Sequence, residues 1–246
     1  MDRKIWLQNL TETYCPPYPC ALCGKGSLRL SKDRLRYVET IESSTARKLD
    51  ESFDWDWVEY VFSAWAECST CNQEYAISGV GVVEPEATEE GDYSYENFFL
   101  PKCISPMPDI IQLPAKCPGD VAKEIRAAFA LFWLNQAACA SRLRVSIEHL
   151  MTYLGVPKRK RVPGKIIDLT LHARIDAFAA KEPVVGAQLM ALKWLGNTAS
   201  HEGTLTKDEI LDAFEILEHA LRELVEGHSA RVAALAKKLT KKHGAG

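Results

Sequence analysis

Two cysteine pairs in this chain share one spacing, Cys20-Ala-Leu-Cys23-Gly24 and Cys68-Ser-Thr-Cys71. Two intervening residues let a tight turn aim both thiolates at a single ion, and Gly24 eases the first turn because a residue without a Cβ accepts positive φ. Two such turns supply four thiolates in a tetrahedron, which suits Zn2+, whose closed shell imposes no other geometry. A site with four protein ligands has no open position, so Cys20, Cys23, Cys68 and Cys71 are expected to hold a structural Zn2+. The 44 residues between the pairs exceed the span of a compact ribbon and require an excursion that brings the chain back to where it left. Cys15 is near enough in sequence to substitute as a ligand. Cys103, Cys117 and Cys139 lack a paired spacing, and a lone cysteine is most often a small buried hydrophobe.

A second group with chemical capacity lies in "KWLGNTASHEG", residues 193–203. Lys193, Asn197 and His201 recur every four residues, so on a helix they form a slightly slanted row. A histidine can take or give a proton near neutral pH, an asparagine can orient a phosphate or hydroxyl, and a lysine can neutralise an anionic transition state. Together they could cleave RNA through its own 2′-hydroxyl without a metal. The structural alternative places His201 in a last helical turn, where the helix dipole favours a cation, and has Asn197 satisfying a backbone group. A third feature is "PKRKRVPGK" at 157–165, which gathers Lys158, Arg159, Lys160, Arg161 and Lys165 into a proline-bounded loop. Such a patch supplies salt-dependent contacts to phosphates, or is simply a solvated loop.

These groups need a frame. Up to about residue 100, runs such as "SLRLSKDRLRYVET" and "DWVEYVFSAWAEC" alternate apolar with polar, the period of half-buried strands. Trp55, Trp57, Tyr60 and Trp65 are expected in the core of that module, or in its contact with the second half. The passage "LPKCISPMPDIIQLPAKCPGD" is punctuated by prolines, which lack ladder donors, and reads as an extended linker. From Asp120 the period becomes helical. Residues 121–155 fit one long helix or two, with Leu143, Ile147, Leu150 and Leu154 as an apolar stripe and Gly155 as a stop. Further helical segments fall at about 167–180 and 184–200, divided near Glu182 and Pro183. Thr206 and Glu209 have capping-box spacing ahead of a helix lined by Ile210, Leu211, Phe214, Leu217, Leu221, Leu224 and Val225. The basic tail from about Ser229 continues as helix.

The 246 residues carry a formal net charge of −3, which argues against coating nucleic acid or membranes by bulk electrostatics, so an anionic partner must be met by a local patch. The N-terminal stretch "MDRKIWLQNLTETY" is too polar for a secretory signal, and no apolar run reaches the roughly 18 residues of a membrane span. A cytoplasmic protein without membrane partners is expected, in which paired cysteines bind metal rather than form disulfides.

The helical half resembles the family described as domain of unknown function 4145, a branch of the HEPN-like helical domains, over about residues 98–225. The resemblance is carried by the proline-rich lead-in, by "RVSIEHL" at 144–150 as an Arg-x-x-aliphatic-Glu signature, and by "LGNTASH" as a Gly-Asn-x-x-x-His signature. It implies a bundle of four or five helices, often dimeric, in bacterial genome-conflict settings, and an N-terminal zinc-ribbon appendage is common in similar proteins. Active HEPN ribonucleases carry an arginine immediately before the motif asparagine. Here that position is Gly196, which cannot stabilise a phosphorane, and Lys193 one turn earlier lacks the guanidinium fork. Arg144 and Glu148 could orient His201 from a facing helix or form a structural polar layer with it.

The expectation is therefore an α+β chain. A strand-rich, zinc-ribbon-like module spans residues 1–100, a proline-rich linker 101–118, an all-α HEPN-like bundle 119–227 and a basic helical tail 228–246. Two functions stay open. One is an RNA-associated protein of a defence or toxin-type system, at most weakly ribonucleolytic through His201, Asn197 and Lys193. The other is a non-catalytic module for homodimerisation or recruitment of a partner protein, stabilised by structural zinc.

Overall fold

A computed structural model describes residues 2–87, 93–198 and 205–244. The chain divides into two compact units, Met1–Ile110 and Ile111–Gly246.

The first unit opens with a single helical turn, α1 (Lys4–Leu7), followed by the long strand β1 (Leu28–Glu39). Helix α2 (Ile41–Leu49) and a 3-10 turn (Trp55–Trp57) lead to β2 (Glu59–Cys68), β3 (Glu74–Ala87) and β4 (Tyr93–Ser105). The four strands form one antiparallel sheet in chain order. Helix α2 escaped the strand reading of this half, yet its start is local chemistry: the Thr40 side chain accepts a hydrogen bond from the Ser43 amide. Strand β4 runs to Ser105, so the first residues assigned to the linker complete the sheet, and Pro101 faces Gly79 where the register shifts.

In β2 the inward set is Phe62, Ala64, Ala66 and Cys68, while Val61 and Trp65 point out. The core of the unit is built from Trp6, Leu10, Tyr18, Tyr75, Phe62 and Phe99. Of the two places expected for the tryptophans, the core of this module is excluded: Trp55 and Trp57 are half exposed, and Trp65 stands on the outer face under the Arg34 guanidinium, 4.4 Å from its ring centroid. Both faces of β2 carry apolar residues, so alternation by itself could not say which one turns inward.

The second unit begins with α3 (Gly119–Phe132) and α4 (Gln136–Tyr153). The break between them is set by Asn135, whose side chain accepts from the Ala138 amide at 2.8 Å and starts α4 afresh. A hairpin of β5 (Arg159–Val162) and β6 (Lys165–Asp168) follows, then α5 (Leu171–Ala179), α6 (Pro183–Thr198), α7 (Lys207–Glu226) and α8 (His228–His243). The segment read as a basic loop is thus a two-stranded hairpin. Its turn has Pro163 followed by Gly164 at φ 80°, the pairing that a type II turn requires. At α7 the reciprocal capping box of Thr206 and Glu209 is complete, and Gly227 in the left-handed region ends the helix.

The core of this unit lies among α3, α4 and α7, where Phe129 and Phe132 meet Phe214. Leu143, Ile147 and Leu150 are buried as the stripe requires, and so are Ile210, Leu211, Phe214, Leu217 and Leu221. Helix α8 has no buried residue; Val232, Leu235 and Leu239 are exposed along it. No described helix is long and apolar enough to cross a membrane.

Candidate functional site

The four paired cysteines converge. The sulfurs of Cys20, Cys23, Cys68 and Cys71 all lie within 4.8 Å of one another. Across the two turns, Cys20 Sγ is 3.7 Å from Cys71 Sγ and Cys23 Sγ is 3.7 Å from Cys68 Sγ. These separations exceed the S–S bond of about 2.05 Å, so neither pair is a disulfide. They match a tetrahedron whose metal–sulfur bonds are about 2.3 Å, in which sulfurs stand about 3.8 Å apart. The cluster can hold a metal ion.

Each turn is built the same way. The amide following the second cysteine returns to the carbonyl of the first, Gly24 N to Cys20 O at 2.9 Å and Asn72 N to Cys68 O at 3.1 Å. That closure needs a left-handed residue, supplied by Gly24 at φ 61° and by Asn72 at φ 57°. Backbone amides then point at sulfur: Cys23 N to Cys20 Sγ, Gly26 N to Cys23 Sγ, and Thr70 N to Cys68 Sγ, at 3.4–3.5 Å. The two turns meet because β1 and β2 pair with Leu28 opposite Cys68, so the long excursion is a hairpin that closes at its own base. Gly26 allows the approach, since a Cβ there would stand 2.4 Å from Cys68 Sγ.

Tyr75 completes the centre. Its fully buried hydroxyl donates to Cys20 Sγ at 3.1 Å and accepts from the Ala21 amide at 2.8 Å. Burial opposes ionisation of Cys20, but the Tyr75 hydroxyl and nearby backbone amides outweigh it and bring the thiol down to about 6. Cys71 moves the other way, up to about 12. The Gln73 amide favours its thiolate, while desolvation and the three neighbouring sulfurs disfavour one more negative charge. A bound cation removes that repulsion. Tyr75→Phe is expected to fold but to bind metal roughly 10- to 100-fold more weakly, as an outer partner of a ligand does when lost; competition with a chromophoric chelator measures this, and unchanged affinity would strip Tyr75 of the role. Sequence reading missed Tyr75 and Gly26, because neither shares a spacing with the cysteines.

Cys15 is not part of the cluster. It is buried, donates to the Pro16 carbonyl at 3.4 Å, and burial pushes its thiol up to about 12. Cys139 is likewise buried, donating to Ala128 O at 3.2 Å, while Cys103 is exposed and Cys117 half-buried.

On α6, Lys193 and Asn197 sit one turn apart; His201 lies outside the described residues. Lys193 is 7% exposed, and its ammonium rests 3.4 Å from the Trp194 ring centroid. Asn197 is half-buried. Gly196 faces α4: a Cβ there would stand 2.7 Å from Arg144 Cβ and 3.1 Å from Ala140 O. This brings the Gly-Asn motif directly against the Arg144 segment, where Arg144 pairs with Glu148 at 3.3 Å. Lys158, Arg159, Lys160, Arg161 and Lys165 are all exposed on or beside the β5–β6 hairpin, with Arg159 tied to Asp168 at 2.7 Å. Lys160 and Lys165 fall on one face of it and Arg159 and Arg161 on the other.

Comparison with known proteins gives two findings. Residues 126–242 match the domain of unknown function 4145 (DUF4145), starting within α3 and taking in α8, further along the chain than the motifs suggested. Residues 8–104 match a second domain of unknown function (DUF8608), which spans the four-stranded sheet and all four clustered cysteines. No curated protein and no solved structure matches the chain.

Proposed function

We propose that this chain is an RNA-associated binding protein of the HEPN-like class, of the defence or toxin type, that holds RNA without cutting it. In this reading the first unit is a zinc-ribbon-like module stapled by structural Zn2+. Zinc is the ion that four thiolates and 3.7 Å sulfur separations suit best, and such a site leaves no position for a substrate.

The observation that carries RNA contact is the β5–β6 hairpin, a short two-stranded element on which positive side chains are exposed on both faces. Exposed cations of this kind attract a phosphate backbone and select no base. Cleavage is disfavoured by Lys193 and Gly196. The first is turned onto Trp194, and the second occupies the contact with α4 where an arginine side chain has no room.

The test is retention of a mixed RNA pool at low salt, in EDTA. Wild type is expected to bind and leave the RNA intact. Lys160→Gln/Arg161→Gln/Lys165→Gln should weaken binding and lower the salt slope by about two, at about 0.7 per lost contact to single strands. Retention unchanged in that triple variant removes RNA from the proposal. RNA cut by wild type but not by His201→Ala would restore the nuclease. The protein-interaction reading keeps one specific support, the exposed stripe of Val232, Leu235 and Leu239 on α8.

A further inference from the structure

Beside the hairpin, the helical unit contains a cavity of about 470 Å3, within the roughly 300–1,000 Å3 usual for small-molecule sites. Arg144, Glu148, His149, Lys158, Thr170 and Arg174 line it. None of the sequence motifs pointed to Arg174, which is only 4% exposed.

Arg174 is held by neutral acceptors. It donates to the Glu148 carbonyl at 3.3 Å, to Thr152 Oγ1 at 3.0 Å and to the Val156 carbonyl at 3.0 Å. Among the described residues its Nε has no acceptor, and neither has the Nε of Arg144; both atoms are shut off from solvent. Carbonyls at the end of α4 offset part of the buried charge through the helix dipole, and the Glu148 carboxylate favours it from across the cavity, although no carboxylate contacts it among the described residues. Burying a guanidinium in this way is costly unless a counter-charge arrives.

The charges around the cavity do not cancel. Glu148 is engaged by Arg144, and Asp168 by Arg159. The lining therefore sets three cations, Arg144, Lys158 and Arg174, against two carboxylates, Glu148 and Asp168, an excess of one positive charge, with Arg159 just outside pairing Asp168. The first turn of α5 forms another wall through Leu169, Thr170 and Leu171, and brings the positive end of that helix dipole to the same space. The Thr170 hydroxyl caps the Ala173 amide at 3.2 Å, so the helix start is fixed in place.

We propose that this cavity is a binding site for a phosphomonoester. Its phosphate sits between Arg174, Arg144, Lys158 and the start of α5, and the rest of the cavity takes the body of the ligand. A terminal phosphate carries about −1.5 to −2 charge at neutral pH, the sign that this excess favours, and its oxygens suit guanidinium donors. A free nucleotide and the 5′ end of a nucleic acid share this chemistry. The site is separate from backbone contact by the hairpin, because Lys160, Arg161 and Lys165 are not needed for it.

The experiment is titration calorimetry on the full chain with inorganic phosphate, adenosine monophosphate, adenosine, and a short oligoribonucleotide with or without a 5′-phosphate. Adenosine monophosphate should bind saturably and adenosine should not. Lys158→Gln, an exposed change that leaves the fold intact, should weaken the monophosphate roughly tenfold, the loss of one charge-assisted contact. Arg174→Lys should weaken it at least as much, and the 160/161/165 variant should bind as wild type. Preference for the phosphorylated over the hydroxyl-ended oligonucleotide, at an affinity above that of the mononucleotide, identifies a nucleic-acid end; otherwise the ligand is a free nucleotide. Absence of phosphate-dependent heat in wild type, or equal affinity in Lys158→Gln and wild type, overturns the proposal. Loss confined to the 160/161/165 variant also overturns it and assigns the anion affinity to the hairpin.

Discussion

Cys68→Ser is expected to empty the four-sulfur centre and unfold the cysteine end of the first unit, while the helical unit keeps its structure. Cys68 is fully buried, begins the second cysteine turn and ends β2, opposite Leu28 of β1. A structural thiolate site of this type binds zinc with about 10–16 kcal/mol of apparent free energy, and that energy is unavailable to an unfolded chain. Losing one of four ligands should cost several kcal/mol of it and release the metal. The centre should also respond to acid. In the metal-free chain Cys20 is depressed from 9.0 to about 6, so its thiolate contributes stability fully above the ordinary thiol range and loses it as pH falls through about 6; a bound cation holds the thiolates against protons to lower pH still. Metal content per chain, with hydrogen exchange in 28–39 and 59–68, measures both effects. Gly26→Ala reaches the same end sterically, by placing a Cβ 2.4 Å from Cys68 Sγ with all four ligands retained. Stoichiometric metal in Cys68→Ser, with unchanged exchange, would end the structural reading of this centre.

Gly196→Arg, the change that writes the missing arginine into the Gly-Asn motif, is expected to destabilise the helical unit rather than awaken a ribonuclease. The new Cβ meets Arg144 Cβ at 2.7 Å and the Ala140 carbonyl at 3.1 Å. Neither is the yielding tip of a side chain, so α4 and α6 must part, at a cost of about 1–3 kcal/mol or more for overpacking. A second guanidinium beside Arg144 adds like-charge repulsion. Gly196→Ala separates the causes: helix propensity alone favours alanine by about 1 kcal/mol, so a lower Tm in that variant isolates the steric part. If Gly196→Arg melted with wild type and cut RNA, the closed contact between these helices would be refuted.

Much of the helical unit was legible because its signals are local. Thr206 and Glu209 are three residues apart and cap each other without help from elsewhere, and the buried stripe of α7 repeats within one turn. The Pro163-Gly164 turn was equally local, but a run of basic residues masked the strands around it. The cysteine pairs were visible for the same reason, since each pair and its left-handed closing residue occupy five consecutive positions.

What lay beyond the sequence depended on which distant surfaces meet. The spacing of Cys20 and Cys23 specified half a tetrahedron, and only the register that sets Leu28 against Cys68 supplied the other half, with Tyr75 and Gly26 as its fitted neighbours. Periodicity placed Lys193 and Asn197 on one helix, yet packing of α6 against α4 decided that Gly196 is a contact point, and Lys193 is buried with its ammonium over the Trp194 ring. The sequence alone determined the α+β division, the paired thiolates and the capping box of α7, because those signals lie within short stretches of chain. Tertiary structure decided which faces turn inward and which charges share a cavity, because burial and counter-charge are properties of surfaces that only the folded chain brings together.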